Sequence, residues 1–192
     1  MTEPTRIHVE AKSYLCFANK SYWATLMDIK EIYVNLADYN QWANERIYNA
    51  CEQLESASYH QNRRAFFDSI HGTLNHLLLA DRIWMGRITG VAYEFISLGD
   101  ELYPTFSLLS SARQTEDVQI IAYIQDLQPE AIIAELSYSK SAGQQYCQPL
   151  WQCLTHLFNH QTHHRGQVHQ MLGEANIVTP VLDMVAMLRN CS

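Results

Sequence analysis

Paired cysteines, long apolar runs and basic clusters are all missing from this chain of 192 residues. Its five cysteines (Cys16, Cys51, Cys147, Cys153 and Cys191) are odd in number, scattered, and without a CxxC spacing. That argues against a disulfide framework and against a thiolate zinc knuckle, and it fits a reducing, cytoplasmic compartment. No apolar stretch approaches the ~18–20 residues of a membrane-spanning helix. The N-terminal segment has no continuous apolar core of signal-peptide type, so export is not expected. The densest basic patch is Arg63-Arg64, and the formal charge is −7. Nucleic-acid binding needs clustered Lys and Arg to displace counterions from phosphates, so it is not expected. Two catalytic signatures are absent as well. No glutamate has a histidine three residues on, as di-iron carboxylate bundles require, and there is no His-Glu-x-x-His of the zincin type.

What the chain does have is helical periodicity. Residues 27–56 carry Ile29, Ile32, Tyr33, Leu36, Ala43, Ile47, Cys51 and Leu54 at three- and four-residue steps, a stripe on one helical face with no Pro or Gly to break it. A second helix is expected from Arg64 to Ile88, apolar over most of its circumference and stopped at Thr89-Gly90. Residues 91–112, with Gly99 and Pro104, form a long crossover. Thr115 followed by Glu116 and Asp117 resembles an N-cap with an acidic first turn. The third helix so opened is expected to reach Leu136, with a kink or restart at Pro129. Residues 138–148 form a loop, and a fourth helix runs from Pro149 to Leu172 with Gly173 as its C-cap. Thr179-Pro180 opens a short C-terminal helix through Leu188. The expected fold is all-α, a four-helix bundle with a long crossover between helices 2 and 3. Residues 1–26 lack clean periodicity, and Met27 stands where the pattern begins. They are either an extension upstream of the native start or a weakly ordered arm, with the bundle domain at 27–192.

The chemistry lies in the histidines. Five of the nine (His156, His160, His163, His164 and His169) fall in one fourteen-residue stretch. On the fourth helix Leu150, Cys153, Leu154, Leu157, Val168, Met171 and Leu172 define the buried stripe. His164 lies within it and His160 on its near margin; His156 and His163 sit on one shoulder and His169 points almost away. Two histidines four apart stack one turn apart, so both imidazoles reach one ion at ~2.0–2.1 Å. A third ligand should come from a facing helix. The second helix offers His71 and His76, and its apolar pattern does not choose between them.

The string His160-Gln161-Thr162-His163-His164-Arg165-Gly166-Gln167, preceded by Leu157-Phe158-Asn159, resembles the signature of DinB-like proteins. So do Thr73-Leu74-Asn75-His76 with Ala80-Asp81 and Trp84, Tyr39-Asn40-Gln41-Trp42-Ala43-Asn44 with Arg46, and the closing Leu182-Asp183 and Leu188-Arg189. The resemblance covers about 27–190. It implies a four-helix bundle, often a homodimer, with a three-histidine divalent metal site whose ligands correspond to His76, His160 and His164. It assigns no settled role to His163 or Arg165; Arg165 is expected to pair with a carboxylate as a structural tie, with Asp81 as the candidate. Asn159 and Gln167 are candidates to orient an imidazole, and His156 to do the same or to cap the core. Trp42 and Trp84 are expected in core or pocket wall.

Three neutral imidazoles leave a coordination position open, whereas closed structural zinc sites normally have four protein ligands. Zinc or nickel suits such donors best, with iron, manganese and copper compatible in ligand type. Relatives in the superfamily include transferases of low-molecular-weight thiols, hydrolases and isomerases. The expectation is therefore a metal-dependent enzyme of stress or detoxification, acting on a small molecule. The alternative is a metal-binding stress protein without turnover. No residue is singled out as a general base.

Overall fold

The computed structural model describes residues 29–139 and 143–190; the expectation for residues 1–26 lies outside them. Among the described residues seven helices and one hairpin follow in order: α1 (Ile29–Cys51), α2 (Ser56–His60), α3 (Ile70–Thr89), α4 (Phe106–Asp126), α5 (Pro129–Ile133), β1 (Glu135–Ser139), β2 (Gln145–Pro149), α6 (Leu150–Glu174) and α7 (Met184–Asn190). The four long helices close a ring in which α1 packs on α4 and α6, and α3 packs on the same two partners. The expected bundle is present.

Local chemistry sets the helix ends. Ser69 caps α3 by accepting from the Gly72 N–H at 3.0 Å, and Gly90 ends it in the left-handed region at φ 78°. The end of α6 differs from expectation. Gly173 is still helical, and Asn176 takes the left-handed position at φ 60°. The Ile177 N–H bonds to Leu172 O and the Asn176 N–H to Gly173 O, both at 3.0 Å, which satisfies carbonyls the helix leaves open.

The C-terminal helix, expected to open at Thr179-Pro180, begins only at Met184, and three further expectations need correction. The second long helix starts at Ile70 rather than Arg64, because Arg64 and Asp68 adopt positive φ (59° and 62°) in a tight turn before it. The third starts at Phe106, capped by Thr105, not at Thr115. Glu116 and Asp117 are buried ion-pair partners of Arg82 and Arg113, not exposed acids of a first turn. Residues 135–149, expected as a helix end and a loop, form an antiparallel hairpin in which Tyr138 faces Tyr146.

The core is divided along the bundle axis. One apolar cluster gathers Tyr33, Ile120, Ile124, Leu154 and Leu157, and another gathers Ile47, Leu74, Leu78, Leu109 and Val168. Between those two sets every long helix carries buried polar residues: Asn40 and Asn44 on α1, Asp81 on α3, Arg113 and Asp117 on α4, Gln161 and Arg165 on α6. Arg113 Nη1 donates to Asp81 at 2.6 Å, and its Nη2 lies 3.0 Å from Asp117. Asn44 Nδ2 donates to Asp117 at 3.0 Å. Burial alone would lower the Arg113 pKa, but Asp117 and Asp81 outweigh it and hold the pKa above its ordinary value. Burial raises Asp117 in spite of Arg113. The layer thus confronts two arginines with two aspartates. Among the described residues, no helix is long and apolar enough to cross a membrane.

Candidate metal centre

His76 comes from the second turn of α3, and His160 and His164 from consecutive turns of α6. The packing of α3 on α6 brings all three together, with one nitrogen from each ring inside a group no more than 4.8 Å across. His76 Nε2 and His160 Nε2 are 3.2 Å apart. Two ligands of a tetrahedral ion, each at ~2.0–2.1 Å, lie roughly 3.3 Å from one another, so the separation matches. His76 and His164 are buried and His160 is partly exposed, as the stripe on α6 predicts.

The outer nitrogens fix the tautomers. His76 Nδ1 donates to Leu98 O at 2.8 Å, and His164 Nδ1 donates to Gln167 Oε1 at 2.7 Å. Each bond places the ring proton on Nδ1 and leaves Nε2 as a lone-pair donor. Burial and the neighbouring rings His164 and His76 bring His160 down to about 3. Burial brings His164 down to about 4, although Gln167 pulls the other way. Burial also lowers His76. The neutral imidazoles that bind metal are therefore the resting form at neutral pH. Facing lone pairs at 3.2 Å repel unless a cation or a shared proton stands between them, and that is the electrostatic reason these donors fit a metal.

Phe67 closes one side. Its ring stacks on His76 with centroids 3.7 Å apart and meets His164 at 5.7 Å. Gly72 makes this approach possible, since a Cβ there would lie 2.2 Å from the Phe67 carbonyl oxygen. From His160 a row of rings continues to His156 (5.8 Å) and from His156 to Trp84 (4.6 Å).

The other histidines are distributed elsewhere. His71, although buried, turns away to Glu101 (3.7 Å) and to the His60 ring at 4.5 Å. His169 Nε2 faces Pro180 O at 3.1 Å. His156 and His163 are exposed. Gln167 takes the orienting role considered for it; Asn159 is exposed and makes no such hydrogen bond. Arg165 does not pair with Asp81. It donates to Asn40, Asn44 and Gln161, while Gln161 donates to Asp81. Arg113 takes the carboxylate because it approaches from α4, on the far side of the polar layer. Sequence reasoning missed Phe67, Arg113 and the Leu98 carbonyl. A spacing pattern carries no signal for any of them, since each acts across elements.

The DinB family sequence model matches residues 25–190. The chain belongs to the DinB family. It is 28% identical to Protein DinB of Bacillus subtilis (strain 168), over 77% of this chain and 88% of that protein. It is also similar to the crystal structure of a DinB-like protein from Bacillus cereus ATCC 10987, with a TM-score of 0.56 and 18% identity over 72% of this chain and 89% of that one. That structural likeness concerns the fold. In this DinB-family chain the α3 histidine that the fold groups with the α6 pair is His76.

Proposed function

We propose that His76, His160 and His164 bind one divalent metal ion and that the protein is a metal-dependent enzyme acting on a small molecule. The convergence of three neutral imidazoles, two of them held from behind through Nδ1, carries this reading. Among the described residues no fourth His, Cys, Asp or Glu joins the group, which leaves room for a water or substrate atom. Zinc and nickel are the best-suited ions for such donors. An ion held there supplies Lewis acidity that makes a bound water or thiol more acidic. The chain's own residues do the rest: Gln167 and the Leu98 carbonyl fix the ring orientations, and Phe67 shields one flank from solvent.

Transfer of a low-molecular-weight thiol to an electrophile, or hydrolysis, fits this site. A non-catalytic stress protein would call for a closed set of ligands, so the enzymatic reading is preferred. A homodimer belongs to the proposal as well, and the exposed Val178, Val181 and Val185 on the C-terminal segment are candidate contacts.

The test is direct. Metal-loaded protein is incubated with small thiols and a chloronitroaromatic, with an ester panel in parallel, and products are read by mass spectrometry. Conjugate formation with release of chloride, or ester cleavage, lost in His164→Ala, supports the enzyme. No product above the free-metal control in either panel replaces it with the non-catalytic reading.

A further inference from the structure

The row of rings leading away from the metal centre ends on Arg87, a cation with no counter-ion among the described residues. Arg63, Arg82, Arg113 and Arg165, the other arginines withdrawn from solvent, all donate hydrogen bonds. Arg87, half-buried, makes no hydrogen bond or ion pair among the described residues. Its guanidinium lies over Trp84 at 4.7 Å and over Tyr138 at 5.7 Å. Such cation–π contacts use none of the N–H donors, which have no acceptor among the described residues and are the fork a carboxylate needs.

Arg87 lines a cleft of about 880 Å³ between α3, the segment after Gly90 and strand β1, together with Tyr93, Ser137 and Tyr138. Two carboxylates line it too. Both Asp100 oxygens already accept backbone N–H groups, from Ile96 at 2.8 Å and Ser97 at 3.1 Å, and Glu94 is exposed. Neither forms an ion pair with Arg87. A partly desolvated cation on aromatic faces, beside an open cleft, lacks one thing, an anion from outside. Burial lowers the Arg87 pKa, with Tyr138 and Cys153 offsetting part of it, which agrees with that deficit.

We infer that Arg87 is the anion-binding end of the substrate site and holds a carboxylate of a ligand whose other end reaches the three-histidine centre. The ligand class is an elongated small molecule with a carboxylate at one end and a metal-binding group at the other, its chain crossing Trp84 and His156. The rings of His156 and Trp84 stand in sequence between His160 and Arg87, and Phe67 already packs on His76. The inference rests on the metal reading for the far end of the ligand, while the carboxylate subsite stands on Arg87 alone.

Two arms keep those failures apart. In metal-free protein the side-chain Nε–H resonance of Arg87, assigned by its loss in Arg87→Gln, is followed by NMR during titration with octanoate or octanol. A saturating shift with octanoate only is expected; no shift overturns the subsite. In cobalt-loaded protein the visible spectrum follows binding of octanohydroxamate and of suberohydroxamate, which carries a carboxylate at its far end. The carboxylate form should bind about tenfold tighter, the gain of one charge-assisted fork contact. Arg87→Gln should erase the difference and Arg87→Lys should retain only part of it. Equal affinities in wild type contradict the span from metal to Arg87. Failure to hold cobalt counts against the metal reading, and the NMR arm then decides the subsite alone.

Discussion

The hydrogen bond from His164 Nδ1 to Gln167 Oε1 decides which nitrogen of that ring faces the centre. Partners of this kind tune a ligand's orientation and basicity, and their loss typically costs 10–100-fold in metal affinity. Gln167→Ala should weaken binding by about that factor with the fold intact, as measured by competition against a chromophoric chelator. Unchanged affinity would mean the ring is held by packing alone. The lowered pKa values of His160 (about 3) and His164 (about 4) carry a further consequence. In metal-free protein, the unfolded imidazoles, near 6.5, take up protons that the folded ones refuse. Their contribution to stability is complete above about pH 6.5 and falls away as pH drops toward the folded values. The urea midpoint of chelator-treated protein should therefore decline from about pH 7 to about pH 5. The decline should be shallower in a His160→Gln/His164→Gln variant; an equally steep one would place the acid sensitivity elsewhere.

At the scale of elements, the turn before α3 joins structure to site. Gly72→Ala gains up to about 1 kcal/mol in helix propensity. Its Cβ, however, would fall 2.2 Å from the Phe67 carbonyl, a backbone atom that cannot swing aside. The clash should win, with a net loss of about 1–2 kcal/mol in urea unfolding and with Phe67 displaced from His76. A stabilised variant would show that the turn yields freely. Most helices were legible in the sequence because their signals are local: periodic stripes, the Gly90 stop, the break at Pro149. His160 and His164 were legible for the same reason, as an inward pair on a striped face. His76 was not, because His71 and His76 are both 4% exposed on a helix buried nearly all round. Only the family resemblance separated them. The start of α4 was misplaced since Glu116 and Asp117 answer to arginines on the structure's interior, not to a helix dipole. The hairpin was overlooked although Leu136 and Tyr138 alternate with Ser137 and Ser139, because five residues are too few to stand out beside long helical runs.

Across the whole molecule, the polar layer between the two apolar clusters ties all four long helices together, and through Gln161 it adjoins the three-histidine group. Gln161, the residue after His160, donates to Asp81, and Arg113 completes the contact from α4. Removing one member of a buried ion network leaves uncompensated charge and typically costs about 3–5 kcal/mol. Arg113→Leu should lose about that much, since Asp81 and Asp117 would remain buried without it. A variant with Arg113, Asp81 and Asp117 all made apolar should recover part of the loss, as urea unfolding would report. A loss below about 1 kcal/mol in Arg113→Leu would mean water reaches the layer and replaces the guanidinium.

The central claim is the metal at His76, His160 and His164. Its most direct test is metal content by plasma mass spectrometry on tag-free protein, wild type beside His76→Ala and His164→Ala. The account predicts about one divalent ion per wild-type chain, from only three ligands, and its loss in both variants. Wild-type protein that stays metal-free after reconstitution would contradict the account and reduce the three histidines to a polar seam between α3 and α6.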